Sequence, residues 1–267
     1  MYAVFYFVDL YFSIVLQYGP GKSGTNIIYY LPGLAGTPIL PVYILITANA
    51  DNTVGVYTAI FCLNVWPRRT FPPLFLGTLV EPLGLTLLAY ALTTETTGLI
   101  FGMLALTGAG TGIRLMPGTL HGVAYYPHNI APIVSLLLLS SSLGGAIGLT
   151  IMDNIFNIHI SNAGFSFTSS NMMSLSSIVS LDDATKQRLV DVAKRGIVLA
   201  FYAITAFSWL GLVSMTGLGN VRIGKKANGK KSQDQVWMGS YVVGLLMRRK
   251  DGWGVVDEDG QIRPTEQ

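Results

Sequence analysis

Three charged residues lie within apolar sequence, where charge is costly. Asp9 interrupts MYAVFYFVDLYFSIVL, Glu81 precedes Pro82 in the run 71–92, and Arg114 lies in the run 97–120. An ionised side chain at the centre of a bilayer costs at least ~2.5 kcal/mol on insertion scales, so it faces a partner or a watery cavity. A carboxylate so placed can take up and release a proton, and an arginine can pair with it or bind an anionic group. The competing reading is a structural ion pair or an interface charge. Arg114 sits about six residues, or ~9 Å, from the end of its apolar run, which is close enough for partial snorkelling.

The remaining motifs mostly exclude chemistry. Pro20-Gly21-Lys22-Ser23-Gly24-Thr25 mimics the end of a phosphate-binding loop, but the glycine required five places before Gly21 is Leu16. Its flanks are also apolar helices rather than a strand and a soluble helix. Gly108-x-Gly110-x-Gly112 has the look of a dinucleotide fingerprint yet lies inside an apolar run with no strand before it. Glycines there let a neighbouring helix backbone approach, as do the Gly98/Gly102 and Gly108/Gly112 pairs and the stripe Ser140, Gly144, Gly148. Helix packing is the main reading for Gly108, Gly110, Gly112, Gly144 and Gly148, with flexing as the functional alternative. His121 and His128 flank a turn without a third metal ligand, and Cys62 is the only cysteine. The apolar runs contain no nucleophile–base pair and no metal-ligand spacing. The expectation is therefore a non-enzyme without metal, cofactor or nucleic-acid partner.

These residues are carried by long apolar elements. Charged residues make up 12% of the 267 and hydrophobic ones 51%, with mean hydropathy +0.50, whereas soluble domains are ~25% charged. Residues 97–120, 130–152 and 196–218 each exceed the roughly 20 apolar residues a helix needs to cross ~30 Å of hydrocarbon. Further spans are expected at 1–16, within 26–66 and at 71–92. The fold class is therefore an all-α integral membrane protein, a bundle of about six transmembrane spans over 1–218. The lipid bilayer is its first partner.

Gln17 to Thr25, Thr93 to Thr96 and 121–129 read as connecting loops, and 153–195 as an extramembrane loop. In that last loop, Leu181-Asp182-Asp183-Ala184 opens an interfacial helix leading into Gly196. The stretch 37–53 is a candidate insertion, because its removal joins 28–36 to 54–66 as a single span. Residues 219–267 hold nine Lys/Arg and read as a basic cytoplasmic tail by the positive-inside rule. Counting back puts the Arg68-Arg69 turn on the same side. Within the tail, 237–247 is too short to span and precedes Arg248-Arg249-Lys250, the pattern of a membrane-surface segment held by anionic lipid.

In this order, several runs resemble the C-terminal half of a major facilitator superfamily transporter, nearest to the fungal fourteen-span multidrug-efflux type. They are Tyr11-Phe12 with Gly21-Lys22-Ser23-Gly24, Leu31-Pro32-Gly33, Asn64-Val65-Trp66-Pro67-Arg68-Arg69, the glycine-rich run 108–117, Leu143-Gly144-Gly145-Ala146-Ile147-Gly148, and Gly196-Ile197-Val198-Leu199-Ala200-Phe201. Each is weak alone; their order and spacing are more specific. The resemblance implies proton-coupled efflux of a small organic solute at the plasma or vacuolar membrane. Glu81, Arg114 and Asp9 are then the candidates for substrate binding or proton coupling. Two departures accompany it. The 37–53 segment has no counterpart in the family pattern, and the expected N-terminal half is missing. Transport would need that half or a second copy; without it, the alternatives are a truncated, non-transporting membrane scaffold and, ranked behind it, a membrane-embedded enzyme.

Overall fold

The computed structural model describes residues 2–30, 69–164, 182–224, 226–227, 230–231, 235–247, 252–256 and 262–264. The described elements are α1 (Tyr2–Ile14), α2 (Pro20–Ile27), α3 (Phe71–Thr94), α4 (Thr97–Tyr125), α5 (Ile130–Asn162), α6 (Asp183–Met215) and α7 (Tyr241–Leu246), with β1 (Val221–Arg222), β2 (Lys226–Ala227), β3 (Lys230–Lys231), β4 (Gln235–Trp237), β5 (Trp253–Val256) and β6 (Ile262–Pro264). The protein is mostly helical, and α3, α4, α5 and α6, with 24, 29, 33 and 33 residues, are long and apolar enough to cross a membrane. At ~1.5 Å per residue the shortest of these extends ~36 Å. A helix can cross hydrocarbon because it satisfies its own backbone; Pro82 in α3 and Pro117 in α4 each remove one of those hydrogen bonds.

The chain divides into two compact units. One comprises Met1–Leu31, Leu83–Leu104 and Ser141–Phe207; the other comprises Pro32–Pro82, Ala105–Ser140 and Ser208–Gln267. In the first, aromatic side chains of α1 do the packing. Phe7 meets Phe156 edge-on at 5.9 Å, Phe12 meets Phe101 at 5.9 Å, and buried Tyr11 donates its hydroxyl to the Leu92 carbonyl at 2.9 Å. A Cβ on Gly196 would lie 3.1 Å from the Phe156 ring, so the small residue admits the aromatic. Lys194 and Glu95 close this unit with an ion pair of 2.6 Å.

In the second unit the tail folds back on the helix ends. Strands β1, β4, β5 and β6 form an antiparallel sheet in that order, with Trp237 opposite Trp253. The β2–β3 pair stands apart, and α7 fills the connection between β4 and β5. The sheet docks where α3 begins. The Thr70 amide donates to the Val221 carbonyl at 3.0 Å, the Val221 amide to Thr70 Oγ1 at 3.2 Å, and the Phe71 amide to Asn220 Oδ1 at 3.1 Å. These contacts occupy the open donors at a helix start. Phe71, Leu74, Met215, Trp237 and Tyr241 form the buried cluster beneath.

Several sequence-based boundaries move. The 1–16 expectation shortens to α1 with 13 residues, ~20 Å, less than a bilayer core. The Gln17 to Thr25 loop contains a helix, α2, because Pro20 at its first position is preset for helical φ. Helix α4 runs through His121 to Tyr125, leaving 126–129 as the turn. The extramembrane loop 153–195 is helical at both ends. Its first ten residues continue α5, and 183–195 belong to α6 without a break at Gly196. Hydropathy falls at Asp153 while helix-forming sequence continues, which is why apolar length misplaced the end. The all-α expectation does not extend to the tail, whose described residues form a small sheet, a separate strand pair and α7. The 237–247 segment is divided between β4 and α7 rather than being one element. Residues 37–53 and Arg68 lie outside the described residues.

Candidate functional site

Glu81 stands near the middle of α3, and Arg114 near the middle of α4. The midpoints are (71 + 94)/2 = 82.5 and (97 + 125)/2 = 111, so both charges lie within ~5 Å of mid-helix along the axis at ~1.5 Å per residue. Arg114 Nη2 is 2.8 Å from Glu81 Oε2 and donates to Oε1 at 3.1 Å. One guanidinium nitrogen therefore faces both carboxylate oxygens, instead of the two-nitrogen fork that gives the strongest pairing. Oε2 has the charge contact without a directed hydrogen bond. Thr111 Oγ1 also donates to Oε1 at 3.1 Å, but its single proton is shared with the Thr107 carbonyl at 3.2 Å.

Two glycines bring these residues together. A Cβ on Gly110 would lie 2.5 Å from the Glu81 amide nitrogen and 2.8 Å from its Cα. A Cβ on Gly77 would lie 2.7 Å from the Gly110 carbonyl oxygen and 2.9 Å from Arg114 Cβ. Only hydrogen fits at either position, so α3 and α4 touch backbone to backbone one turn before each charge. Proximity and burial then set the electrostatics. The Glu81 side chain is 8% exposed and that of Arg114 43% exposed. The carboxylate is thus enclosed, while the guanidinium opens to one side.

That asymmetry limits what can lie beside α4. Arg114 cannot hold Glu81 at mid-helix and also stretch its guanidinium to the headgroups. A half-exposed guanidinium at that depth is costly against hydrocarbon, so the face carrying it suits water or another polypeptide.

The other sequence candidates are placed differently. Asp9 belongs to α1 and accepts from Ser23 Oγ on α2, at 2.5 Å through Oδ1 and 3.1 Å through its own carbonyl. The hydroxyl of the loop-like Gly21-Lys22-Ser23 run is thereby used within the fold, and Lys22 lies over the Tyr18 ring at 3.8 Å. Gly108 and Gly112 are buried alongside Gly110. A Cβ on Gly148 would meet Ile204 at 3.2 Å, but one on Gly144, Gly98 or Gly102 would meet nothing within 4 Å. Among the described residues, no close neighbour stands behind the packing reading at those three glycines. Gly145, next to Gly144, is the one that lies against the Tyr2 ring. Arg69 donates to the Tyr241 hydroxyl at 2.7 Å and lies 5.7 Å from the Trp253 ring, so this basic-turn residue is engaged by the tail. His121 Nδ1 is 2.8 Å from Thr70 Oγ1. Among the described residues no three His, Cys, Asp or Glu lie close enough to hold a metal.

Sequence reasoning missed Gly77 and Thr111. A signal for both existed, since Gly77 lies four residues before Glu81 and Thr111 three before Arg114, on the same helical face. No protein-family model matches the chain, and neither a curated protein nor a solved structure does.

Proposed function

We propose that the chain is a transporter half of the major facilitator type, with about six spans, that moves a small organic solute by proton-coupled efflux. The observation that carries this reading is the Glu81 carboxylate. It is buried at mid-helix, incompletely hydrogen-bonded, and tethered to an arginine that opens to one side. Protonation of Glu81 removes the charge that Arg114 pairs with. The freed guanidinium then takes a new partner, either water or an anionic group on the solute, and deprotonation draws it back. Such an exchange couples proton uptake to a change at the open face of α4. Alternating access places the site between two halves, so a second half-bundle supplies the opposing wall. Membrane embedding supports this reading, with the basic tail assigned to the cytoplasmic side.

The test uses the full chain in proteoliposomes loaded with a lipophilic fluorescent dye. A proton gradient should accelerate dye movement, and Glu81→Gln should abolish that acceleration while downhill movement persists. An unchanged gradient response in Glu81→Gln would remove Glu81 from coupling. Absence of dye movement by the unaltered chain under any gradient would leave the membrane-scaffold reading.

A further inference from the structure

Helix α7 is built with two opposed faces. Tyr241 and Gly244 turn inward. The Tyr241 ring lies 5.6 Å from Trp237 and 5.0 Å from Phe71, and a Cβ on Gly244 would run into the Trp237 indole. Val243, Leu246 and Met247, at i, i+3 and i+4, turn outward with 46%, 80% and 69% exposure, and Leu245 is exposed beside them. From Val242 to Met247 no side chain is polar. A tail segment surrounded by water would place charge on such a face, as surface helices ordinarily do.

The location of α7 supplies the second observation. Ser240 Oγ donates to the Thr216 carbonyl at 2.6 Å, and the Tyr241 amide donates to the Leu218 carbonyl at 3.0 Å. Both acceptors lie within three residues after Met215, the last residue of α6, itself one of the four described helices long and apolar enough to cross a membrane. Leu210 and Val213, near that same end of α6, are exposed as lipid-facing residues would be. The apolar face of α7 is thus tied to the point where a membrane helix ends. Charge then selects the occupant, because the chain continues from Met247 into Arg248, Arg249 and Lys250. An apolar face next to a basic cluster is the pattern that binds an anionic bilayer surface.

We propose that α7 is a membrane-surface anchor. Its Val243, Leu245, Leu246 and Met247 face enters the headgroup–acyl boundary of an anionic leaflet beside the end of α6. It fixes the tail against the membrane, and with it the start of α3 and the end of α4, whose Tyr125 hydroxyl donates to the Trp237 carbonyl at 2.7 Å. The inference rests on membrane embedding and not on transport.

Leu246 is 80% exposed, so replacing it leaves the fold intact. The full chain carrying Cys62→Ser and Leu246→Cys is labelled with an environment-sensitive fluorophore in phosphatidylcholine vesicles with and without phosphatidylglycerol. A chain labelled through Arg222→Cys, on the exposed side of β1, serves as the water-facing reference. With phosphatidylglycerol, a lipid nitroxide near the headgroup should quench the label at 246 about two-fold or more over the reference, as shallow insertion requires. Arg248→Gln, Arg249→Gln and Lys250→Gln together should return that quenching to its level in neutral vesicles. Equal acrylamide quenching at 246 and 222, with no nitroxide effect, would overturn the proposal. So would shielding at 246 that rises with protein concentration but ignores the nitroxide, since a second copy would then cover the face. Quenching unaffected by the triple neutralisation would overturn the choice of anionic lipid.

Discussion

Replacing Gly110 by alanine tests the backbone contact that brings Glu81 and Arg114 together. The added methyl would sit 2.5 Å from the Glu81 nitrogen, whereas ordinary contact begins at 3.4 Å, so α3 and α4 must separate locally by 0.9 Å (3.4 − 2.5). Overpacking of this size costs about 1–3 kcal/mol. Alanine also raises helix propensity by up to ~1 kcal/mol over glycine, which would mask part of the loss. Gly102→Ala on the same helix provides the reference, because its Cβ would meet nothing within 4 Å. It gains the same propensity with no clash. Unfolding free energies measured in bilayer discs should place Gly110→Ala about 1–3 kcal/mol below Gly102→Ala. The separation also pulls Arg114 away from the carboxylate, so the Gly110→Ala loss should shrink in an Arg114→Gln background. Equal stability of the two alanine variants would refute close approach at Gly110, and with it the reason the ion pair forms.

Two further outcomes follow from the same contacts. Arg114→Gln alone should cost up to ~3–5 kcal/mol, as when one partner of a buried pair is removed, and the half-exposure of Arg114 keeps it toward the lower end. Adding Glu81→Gln should recover most of that loss, a coupling that a double-mutant cycle reads directly. In the tail, Tyr241→Phe removes the acceptor for Arg69, a charged hydrogen bond of ~1.5–3 kcal/mol. Hydrogen exchange of the Thr70 and Phe71 amides should speed up, because the sheet that occupies them loosens. Unaltered exchange there would show that the Arg69 contact does not hold the tail in place.

The helices and the charged candidates were legible in the sequence because both signals are local. Asp9, Glu81 and Arg114 stand out against apolar neighbours, and the long runs give α3 to α6 with modest errors at the ends. Those errors arise where hydropathy and helicity part company, as after Asp153, where α5 continues to Asn162. Pairing was not legible. That Glu81 meets Arg114 depends on how two helices abut, and the place of Gly77 one turn before Glu81 does not tell which helix lies against it. The tail was least legible, since Val221 bonds to Thr70 across 151 positions and the β4–β5 pair is separated by α7. Two- to four-residue strands carry too little alternation to announce themselves. The outward face of 237–247 was visible as apolar sequence next to a basic cluster. The inward turn of Trp237 and Tyr241 became apparent only when the sheet supplied their partners.

The unequal burial of the pair decides whether the α4 face meets hydrocarbon. A guanidinium in lipid at mid-helix would cost at least ~2.5 kcal/mol, while the same group against water or a polar partner costs little. Arg114→Cys in a Cys62→Ser background separates these cases. A methanethiosulfonate bearing a quaternary ammonium reacts only with an ionised thiol in contact with water, and the reaction restores a positive charge beside Glu81. Leu138→Cys on α5, where Leu138 is 65% exposed, gives the lipid-facing rate. Arg114→Cys should react at least ~10-fold faster, and the modified protein should regain part of the stability lost with the arginine, because the buried carboxylate again has a counter-ion. A rate no higher than that at Leu138 would mean that lipid or a packed polypeptide seals this face from water. The Glu81–Arg114 pair would then be a closed structural lock between α3 and α4, with no path by which a proton or solute could reach it.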